Sequence, residues 1–494
     1  MATAEHKIKN ILFYLIPSFI GNALPFITLP IITRFLSPQD FGISALAMST
    51  TLIIANILVC NVDTAAYRYY FEYRKNAKEV AGLINTSLAY ILLVGVVSIP
   101  IVYFASNAIS RLIIGSAEYA QALFISYISA CLSVLVNFYL MFYRNMEKAK
   151  DFSYLKTIQT LIGTILTLVL IIKFRMGYMG LIYATFGSFL IAFLVVSARF
   201  MIDFPFHFRA KMLIDNLKYG IPLLPNMFSG SIYQFFDKYM LQRIVSLSST
   251  GIFSIAQNIS TRLFTFMTAV QSTFEPIFMK DMFDRGAEGA RSVGRNFTVF
   301  TYISLSVILG TILFGEEIIY ILAPSSYYGA INVFMILLGA ISMQTFGKIV
   351  GPQLAYPKKA YLSFPISLAG LAVNISLNLF LIPKWGASGA AFATFVTIAL
   401  SNAISVFIAQ KFYKIEYEKF FLLLIYSNVF ISTFLLIYMR LIDAPILLKY
   451  GLKIASLAAY AYAGVRARII TKGNIRIVMN ILRLRTSTEK YVEI

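Results

Sequence analysis

The stretch Gly177-Tyr-Met-Gly-Leu-Ile-Tyr-Ala-Thr-Phe186 opens an apolar run that continues to residue 200. Its near copy, Gly386-Ala-Ser-Gly-Ala-Ala-Phe-Ala-Thr-Phe395, opens another that continues to residue 410. Each run exceeds the ~20 residues that carry a helix across a bilayer and is about twice the ~10 of a membrane β-strand. Five positions coincide at one displacement of 209 residues: Gly177 and Gly386, Gly180 and Gly389, Ala184 and Ala393, Thr185 and Thr394, Phe186 and Phe395. The same displacement carries Arg34, Gly42, Ile43 and Ala47 onto Arg243, Gly251, Ile252 and Ala256, and Lys150 onto Lys359. One such match is cheap among apolar helices, but three regions sharing one offset mark an internal repeat.

Outward from this pair, apolar runs recur along the chain at 10–34, 41–62, 80–105, 119–143, 152–172, 177–200, 219–245, 251–273, 293–314, 327–350, 360–382, 386–410, 418–440 and 444–464. Of the 494 residues, 59% are hydrophobic and 13% charged, against ~25% charged in a soluble domain. A soluble globular protein and a disordered or fibrous chain are both excluded. The net charge of +20 is a sidedness code. With the N-terminus inside, 30 of the 42 Lys and Arg fall on one face and 7 on the other, and five (Lys156, Lys238, Arg262, Lys449 and Lys453) lie within helices. That alternation is what the positive-inside rule expects of fourteen spans with both termini cytoplasmic. It leaves no compact basic domain for nucleic acid.

Six helices separate the repeated copies, an even number, so the halves share one orientation about an axis along the membrane normal. The expected fold class is an all-α polytopic membrane protein with 14 transmembrane helices, built as two six-helix bundles related by a parallel repeat plus two C-terminal helices. The expected divisions are an N-terminal bundle over 1–200, a cytoplasmic connector over 201–218, a second bundle over 219–410, two extra helices over 411–464 and a basic cytoplasmic tail over 465–494. The tail mixes Arg and Lys with Ile, Val and Leu, as a segment lying on anionic lipid does.

Two bundles around a cavity point to transport rather than catalysis. The external loops are short, the longest near 106–118 and 315–326, and carry no HExxH, GxSxG, P-loop or paired-carboxylate constellation. Cys60 and Cys131 sit in apolar runs without CxxC spacing and read as small buried hydrophobes; His6 and His207 lie far apart. No catalytic residue, metal site or cofactor is expected.

A charge at mid-bilayer costs ~2.5–3.5 kcal/mol even on the lenient insertion scale. Arg262 stands near the middle of the eighth run, with Asn258, Thr261, Thr265 and Ser272 near its face. The seventh run carries Ser231, Gln234, Lys238 and Gln242 at spacings of three and four, with Asp237 about 100° away from Lys238. The first run, its repeat partner, carries Tyr14, Ser18, Gly21, Asn22 and Pro25 along one side. On one reading these three helices line a hydrated, cationic cavity; on the other the residues form a buried network between helices or snorkel to headgroups. Lys156, one turn inside its helix, fits snorkelling. Lys449 and Lys453 share a face outside the repeat and fit a structural or partner role. Pro17, Pro25, Pro30, Pro222 and Pro225 permit bends in the first helix of each half.

The segments Phe41-Gly-Ile-Ser-Ala-Leu-Ala47, Asp63-Thr-Ala-Ala-Tyr-Arg-Tyr-Tyr70, Phe236-Asp-Lys-Tyr-Met-Leu241, Gly251-Ile-Phe-Ser-Ile-Ala256, Phe274-Glu-Pro-Ile-Phe-Met279 and Trp385-Gly-Ala-Ser-Gly-Ala-Ala391 resemble those of polysaccharide-biosynthesis flippases. These belong to the multidrug/oligosaccharidyl-lipid/polysaccharide exporter superfamily, near its Wzx-type O-antigen members. The resemblance covers about 10–410 and implies ion-coupled alternating access. Its implied cargo is an undecaprenyl-pyrophosphate-linked oligosaccharide, moved from the cytoplasmic to the periplasmic leaflet of a bacterial inner membrane in lipopolysaccharide assembly. It makes Arg262, Lys238 and Arg68 the candidates for the pyrophosphate or acidic sugars, beside Gln234 and Asn22 on the polar stripes. Asp237, then Glu275, are the candidates for ion coupling as an antiporter. Implied partners are the lipid-linked oligosaccharide, membrane lipids, a polysaccharide polymerase and a chain-length regulator. The alternatives are a multidrug or lipid II exporter of the same superfamily, the latter sharing fourteen helices, and a membrane-embedded polysaccharide polymerase.

Overall fold

The computed structural model describes residues 4–471, and within them the side chains of all but 4–16, 18, 201–202, 225–231 and 266. The expected tail beyond 471 and the side chains of His6, Tyr14, Ser18, Pro225 and Ser231 lie outside the described residues. The chain runs through α1 (Ala4–Phe35), α2 (Pro38–Val59), α3 (Val62–Tyr73), α4 (Ala77–Ile113), α5 (Ala120–Asn145), α6 (Ala149–Leu168), α7 (Gly177–Asp203), α8 (Ala210–Gly220) and α9 (Leu224–Ile244). It continues through α10 (Leu247–Arg285), α11 (Ala290–Leu313), α12 (Gly315–Leu322), α13 (Ala330–Ala355), α14 (Ser363–Ala409), α15 (Lys419–Leu441) and α16 (Ile446–Arg466). No strand occurs among the described residues. The protein is an all-α, multi-pass membrane protein. Nine helical stretches among the described residues are long and apolar enough to cross a membrane, and two of them, Leu247–Leu313 and Ala360–Ala409, each hold two of the expected runs. Fourteen spans are consistent with this.

Within α14 the expected loop at 383–385 shrinks to a single non-helical residue, Gly386, with φ 54° and ψ −131°. Only glycine takes that conformation cheaply. The chain doubles back there: a Cβ on Gly389 would overlap the carbonyl of Leu381, although eight residues of straight helix span ~12 Å. Gly177 opens α7 at φ 57°, so the repeated glycines share one backbone role as well as one sequence pattern.

Three short helices, α3, α8 and α12, stand where loops are expected, because their polar residues break up any apolar run. α3 and α8 dock on each other and on α4. Asn61 donates to the Gly220 carbonyl (3.3 Å), Asn216 to Ser87 Oγ (3.0 Å), and Arg209 pairs with Glu79.

The chain forms two compact units. Unit 1 comprises Met1–Ala256, Ile319–Ala330 and Leu371–Ala393; unit 2 comprises Gln257–Ile318, Ile331–Gly370 and Thr394–Ile494. Unit 1 displays the repeat at atomic detail. Ser37 caps α2 in a box with Asp40, whose carboxylate accepts from Ser37 N (2.9 Å) while Asp40 N donates to Ser37 Oγ (3.2 Å). One repeat length on, at the position equivalent to Ser37, Ser246 Oγ accepts from Ser249 N (3.1 Å) ahead of α10. The two helices cross at their glycines. A Cβ on Gly42 would overlap the Leu247 carbonyl, and one on Gly251 would overlap the Pro38 carbonyl; Pro38 and Leu247 are also repeat equivalents. The contact is therefore reciprocal, as across a two-fold axis. A second pair flanks it, with equivalent donors and acceptors one residue out of register. Thr33, ending α1, donates to the Leu322 carbonyl (3.1 Å), and its equivalent Gln242, ending α9, donates to the Ile114 carbonyl (2.7 Å).

In unit 2, α15 and α16 are tightly integrated. Tyr302 and Tyr460 stack at 4.7 Å and each hydroxyl donates to the other's carbonyl (3.3 and 2.7 Å). Glu316 at the start of α12 accepts from Lys449 (3.2 Å), and Glu317 pairs with Lys453. Lys449 and Lys453 thus have a structural role, one of the two readings their shared face allows. Broad apolar faces remain exposed, for example Leu93, Val96, Val97, Ile101 and Phe104 of α4, as lipid-facing helices require.

Candidate functional site

Two polar constellations stand out, one in each unit. In unit 1, α9 turns Asp237 and Lys238 inward, leaving them 1% and 9% exposed. Asp237 Oδ1 accepts from Asn378 Nδ2 (2.7 Å), which also faces Asn374 Oδ1 (3.1 Å). Asn374 and Asn378 are one turn apart on the first arm of α14, and both are fully buried. Among the described residues, Asn378 Oδ1 and Asn374 Nδ2 find no hydrogen-bond partner. A carboxylate beside amide oxygens in a dry setting is a donor set suited to a proton or a hard cation. Composition alone gives no signal for the two asparagines; their i, i+4 spacing within an apolar run is the only sequence trace.

In unit 2, α10 exposes Asn258, Thr261, Thr265, Thr268 and Ser272. A lipid-facing surface would be apolar, so this face is built for water or a polar ligand. At 100° per residue, half-buried Arg262 flanks that face on one side and exposed Glu275 on the other. Glu275 accepts from Gln271 Nε2 (3.1 Å). Lys348 of α13 reaches the same face: its Nζ donates to Thr268 Oγ1 (3.2 Å) and lies 4.6 Å from the Phe264 ring centroid. Lys348 lies within the 327–350 run but near its end, and so counts with the cytoplasmic cations; α13 extends seven residues beyond it. The face thus carries two cations and one carboxylate, with hydroxyls between them.

The remaining expected residues are spread out. Arg68 lies on α3, pairs with Glu72 at 2.9 Å with both side chains nearly half exposed, and stacks against Tyr69 and Tyr219 at 4.9 and 5.1 Å. Gln234 is exposed on α9, and Asn22 is half-buried on α1. Cys60 and Cys131 are free thiols. Among the described residues no three His, Cys, Asp or Glu side chains gather as a metal site.

Residues 8–282 match the family described as polysaccharide biosynthesis protein. Among curated proteins, the chain is 28% identical over 177 residues to the probable flippase AglR of Haloferax volcanii, covering 35% of this chain and 37% of that one. It is 24% identical over 211 residues to that organism's probable low-salt glycan biosynthesis flippase Agl15, covering 42% and 44%. The chain thus spans less than half the length of these relatives. Among solved structures, the lipid II flippase MurJ in an inward closed conformation superposes with a TM-score of 0.73 at 15% identity, covering 93% of this chain and 100% of that one. The two share a fold.

Proposed function

This chain belongs to the polysaccharide biosynthesis protein family, and from that premise we propose that it is a flippase for a lipid-linked oligosaccharide. The cargo is a polyprenyl-pyrophosphate-linked repeat unit, of the undecaprenyl and O-antigen kind. It moves by alternating access from the cytoplasmic to the outer leaflet of a bacterial inner membrane, with both termini inside. Two six-helix bundles, 1–200 and 219–410, form the two moving halves. The reciprocal α2/α10 crossing then lies at the external end. The observation that carries this reading is the exposed, hydroxyl-rich face of α10 with Arg262 and Lys348. Arginine's planar fork and lysine's point charge are the usual partners of phosphate oxygens, and hydroxyls suit sugars. Lys238, Arg68, Gln234 and Asn22 extend the substrate set. Asp237, with its amide neighbours, couples translocation to a proton or sodium gradient, and Glu275 is the second candidate.

A drug exporter for small cations needs an acidic cavity, which a face holding two cations and one carboxylate does not favour. A membrane polymerase needs catalytic side chains in a large external loop, and the expected external loops are short. The test is translocation of a fluorescent polyprenyl-pyrophosphate oligosaccharide in proteoliposomes under an imposed ion gradient. The wild type should move it, and Arg262→Ala and Lys348→Ala should each slow it at least about tenfold, the loss of one charge-assisted hydrogen bond. Wild-type rates in both variants would overturn the cationic-face assignment. Transport of lipid II alone would reassign the cargo.

A further inference from the structure

A cavity of about 800 Å³ opens on unit 2 away from the α10 face, between α13, the second arm of α14 and the start of α15. That size is typical of a ligand pocket. Its shaft is apolar apart from Asn402, whose amide donates to the Met343 carbonyl (2.9 Å): Met343 and Phe346 of α13 face Ala399, Ala403, Val406 and Phe407 of α14. Ala399 and Ala403 are one turn apart, and their short side chains leave the room that the cavity occupies. The mouth is different in character. It is formed by the 410–419 segment, which Gln410 shapes by accepting from Ile415 N (2.9 Å) and donating to the Ile415 carbonyl (3.2 Å). Gln353 fixes the same segment from α13 by donating to the Tyr413 carbonyl (2.6 Å). The pocket is thus pre-formed.

Charge at the mouth is unequally satisfied. The two acids, Glu416 and Glu418, are engaged by Arg291 (3.4 Å) and Arg295 (3.3 Å). The lysines are not: among the described residues Lys411, Lys414 and Lys419 form no ion pair. Lys414 and Lys419 line the mouth, and Lys411 Nζ sits 4.6 Å over the ring of Phe407 at the shaft's edge. All three belong to a segment that the basic-residue count puts on the cytoplasmic face, where anionic lipids concentrate. An apolar shaft beneath a ring of unpaired cations, at the depth where a helix meets the headgroups, has the polarity of a phospholipid.

We propose that this groove binds an anionic glycerophospholipid, its phosphate held by Lys411, Lys414 and Lys419 and one acyl chain lying along Ala399 and Ala403. This goes beyond the transported cargo: it is a resident lipid site on the second half of the chain. The test uses the full-length protein purified in neutral detergent, with thermal unfolding and native mass spectrometry as readouts, titrated with phosphatidylglycerol, phosphatidylcholine or undecaprenyl phosphate. Phosphatidylglycerol should bind and raise Tm, and phosphatidylcholine should not. The triple variant Lys411→Gln, Lys414→Gln, Lys419→Gln should weaken phosphatidylglycerol at least about tenfold, given roughly 1 kcal/mol per basic residue at an anionic surface. Ala399→Phe with Ala403→Phe should abolish binding with every charge intact. The lysines are exposed, so the triple variant keeps its fold and reads the site even where the phenylalanine variant does not. Equal response to phosphatidylcholine, or phosphatidylglycerol binding unchanged in the triple variant, would overturn the proposal. Stronger binding of undecaprenyl phosphate, lost in the triple variant, would overturn it too and give the groove to the cargo's tail.

Discussion

Two clusters of charge sit in or beside the apolar helices of this protein, and they are held in different ways. Around α12, every acid meets a cation: Lys453, buried beneath the rings of Phe314 and Tyr450, reaches Glu317, and Glu316 faces both Lys449 and Arg440. Asp237, next to Lys238 in the chain, counts a neutral amide, that of Asn378, among its partners. A buried ion pair is a fixed joint, since separating it strands a charge. A carboxylate with a neutral amide among its partners is the proposed place for exchange with a proton or cation. The difference teaches that a buried charge in a membrane helix is read from its partner's type. The first cluster fastens α15 and α16 to α12; the second is the proposed coupling site.

This contrast breaks most visibly at Lys453. Replacing it by Met leaves Glu317 facing an apolar side chain, and thermal unfolding in detergent should show a loss of about 3 kcal/mol, while ion dependence of transport is kept in whatever remains folded. Adding Glu317→Gln should recover more than half of that loss, because the stranded charge is gone; no recovery would mean that the pair is not the joint. At Asp237 the expectation reverses. Asp237→Asn keeps shape and hydrogen bonding, so stability should change by no more than about 1 kcal/mol, while proteoliposome transport should lose its dependence on the ion gradient. A variant as unstable as Lys453→Met with gradient-driven transport intact would place Asp237 with the joints. The smallest effect belongs to Asp63, a carboxylate outside the spans on α3, which burial pushes up from its usual pKa. Its protonated form is the one the fold favours, so the stability it contributes is present in acid and lost as pH rises through the raised value. Asp63→Asn should therefore be more stable than wild type near neutral pH, by a few tenths of a kcal/mol, with the gap closing in acid.

Much of this molecule is legible in its amino-acid sequence. The spans are written as apolar runs, and the 209-residue displacement reappears in Ser37 and Ser246, Gly42 and Gly251, and Gly177 and Gly386. What escapes has physical reasons. α3, α8 and α12 are amphipathic and short, so no apolar run betrays them. Lys348 counts with the cytoplasmic cations because it stands two residues from the end of its apolar run, whereas the helix continues to Ala355. Asn374 and Asn378 carry no charge to draw the eye, and the bond from Asn378 to Asp237 joins residues 141 apart in sequence. Arg68 shows the converse: a cation inside a recognisable motif, whose i, i+4 pairing with Glu72 forms because α3 is a helix where a loop is expected.

The α2/α10 crossing bears on descent. Each glycine closes against the segment equivalent to its own surroundings, so neither half contributes a surface the other lacks. A half-length ancestor carrying one copy would have met the same fit on a second copy of itself, and joining the two genes end to end would have required no new interface at that point. The inheritance leaves both positions constrained in a single chain: a side chain at Gly42 and a side chain at Gly251 are the same steric error, made from opposite sides.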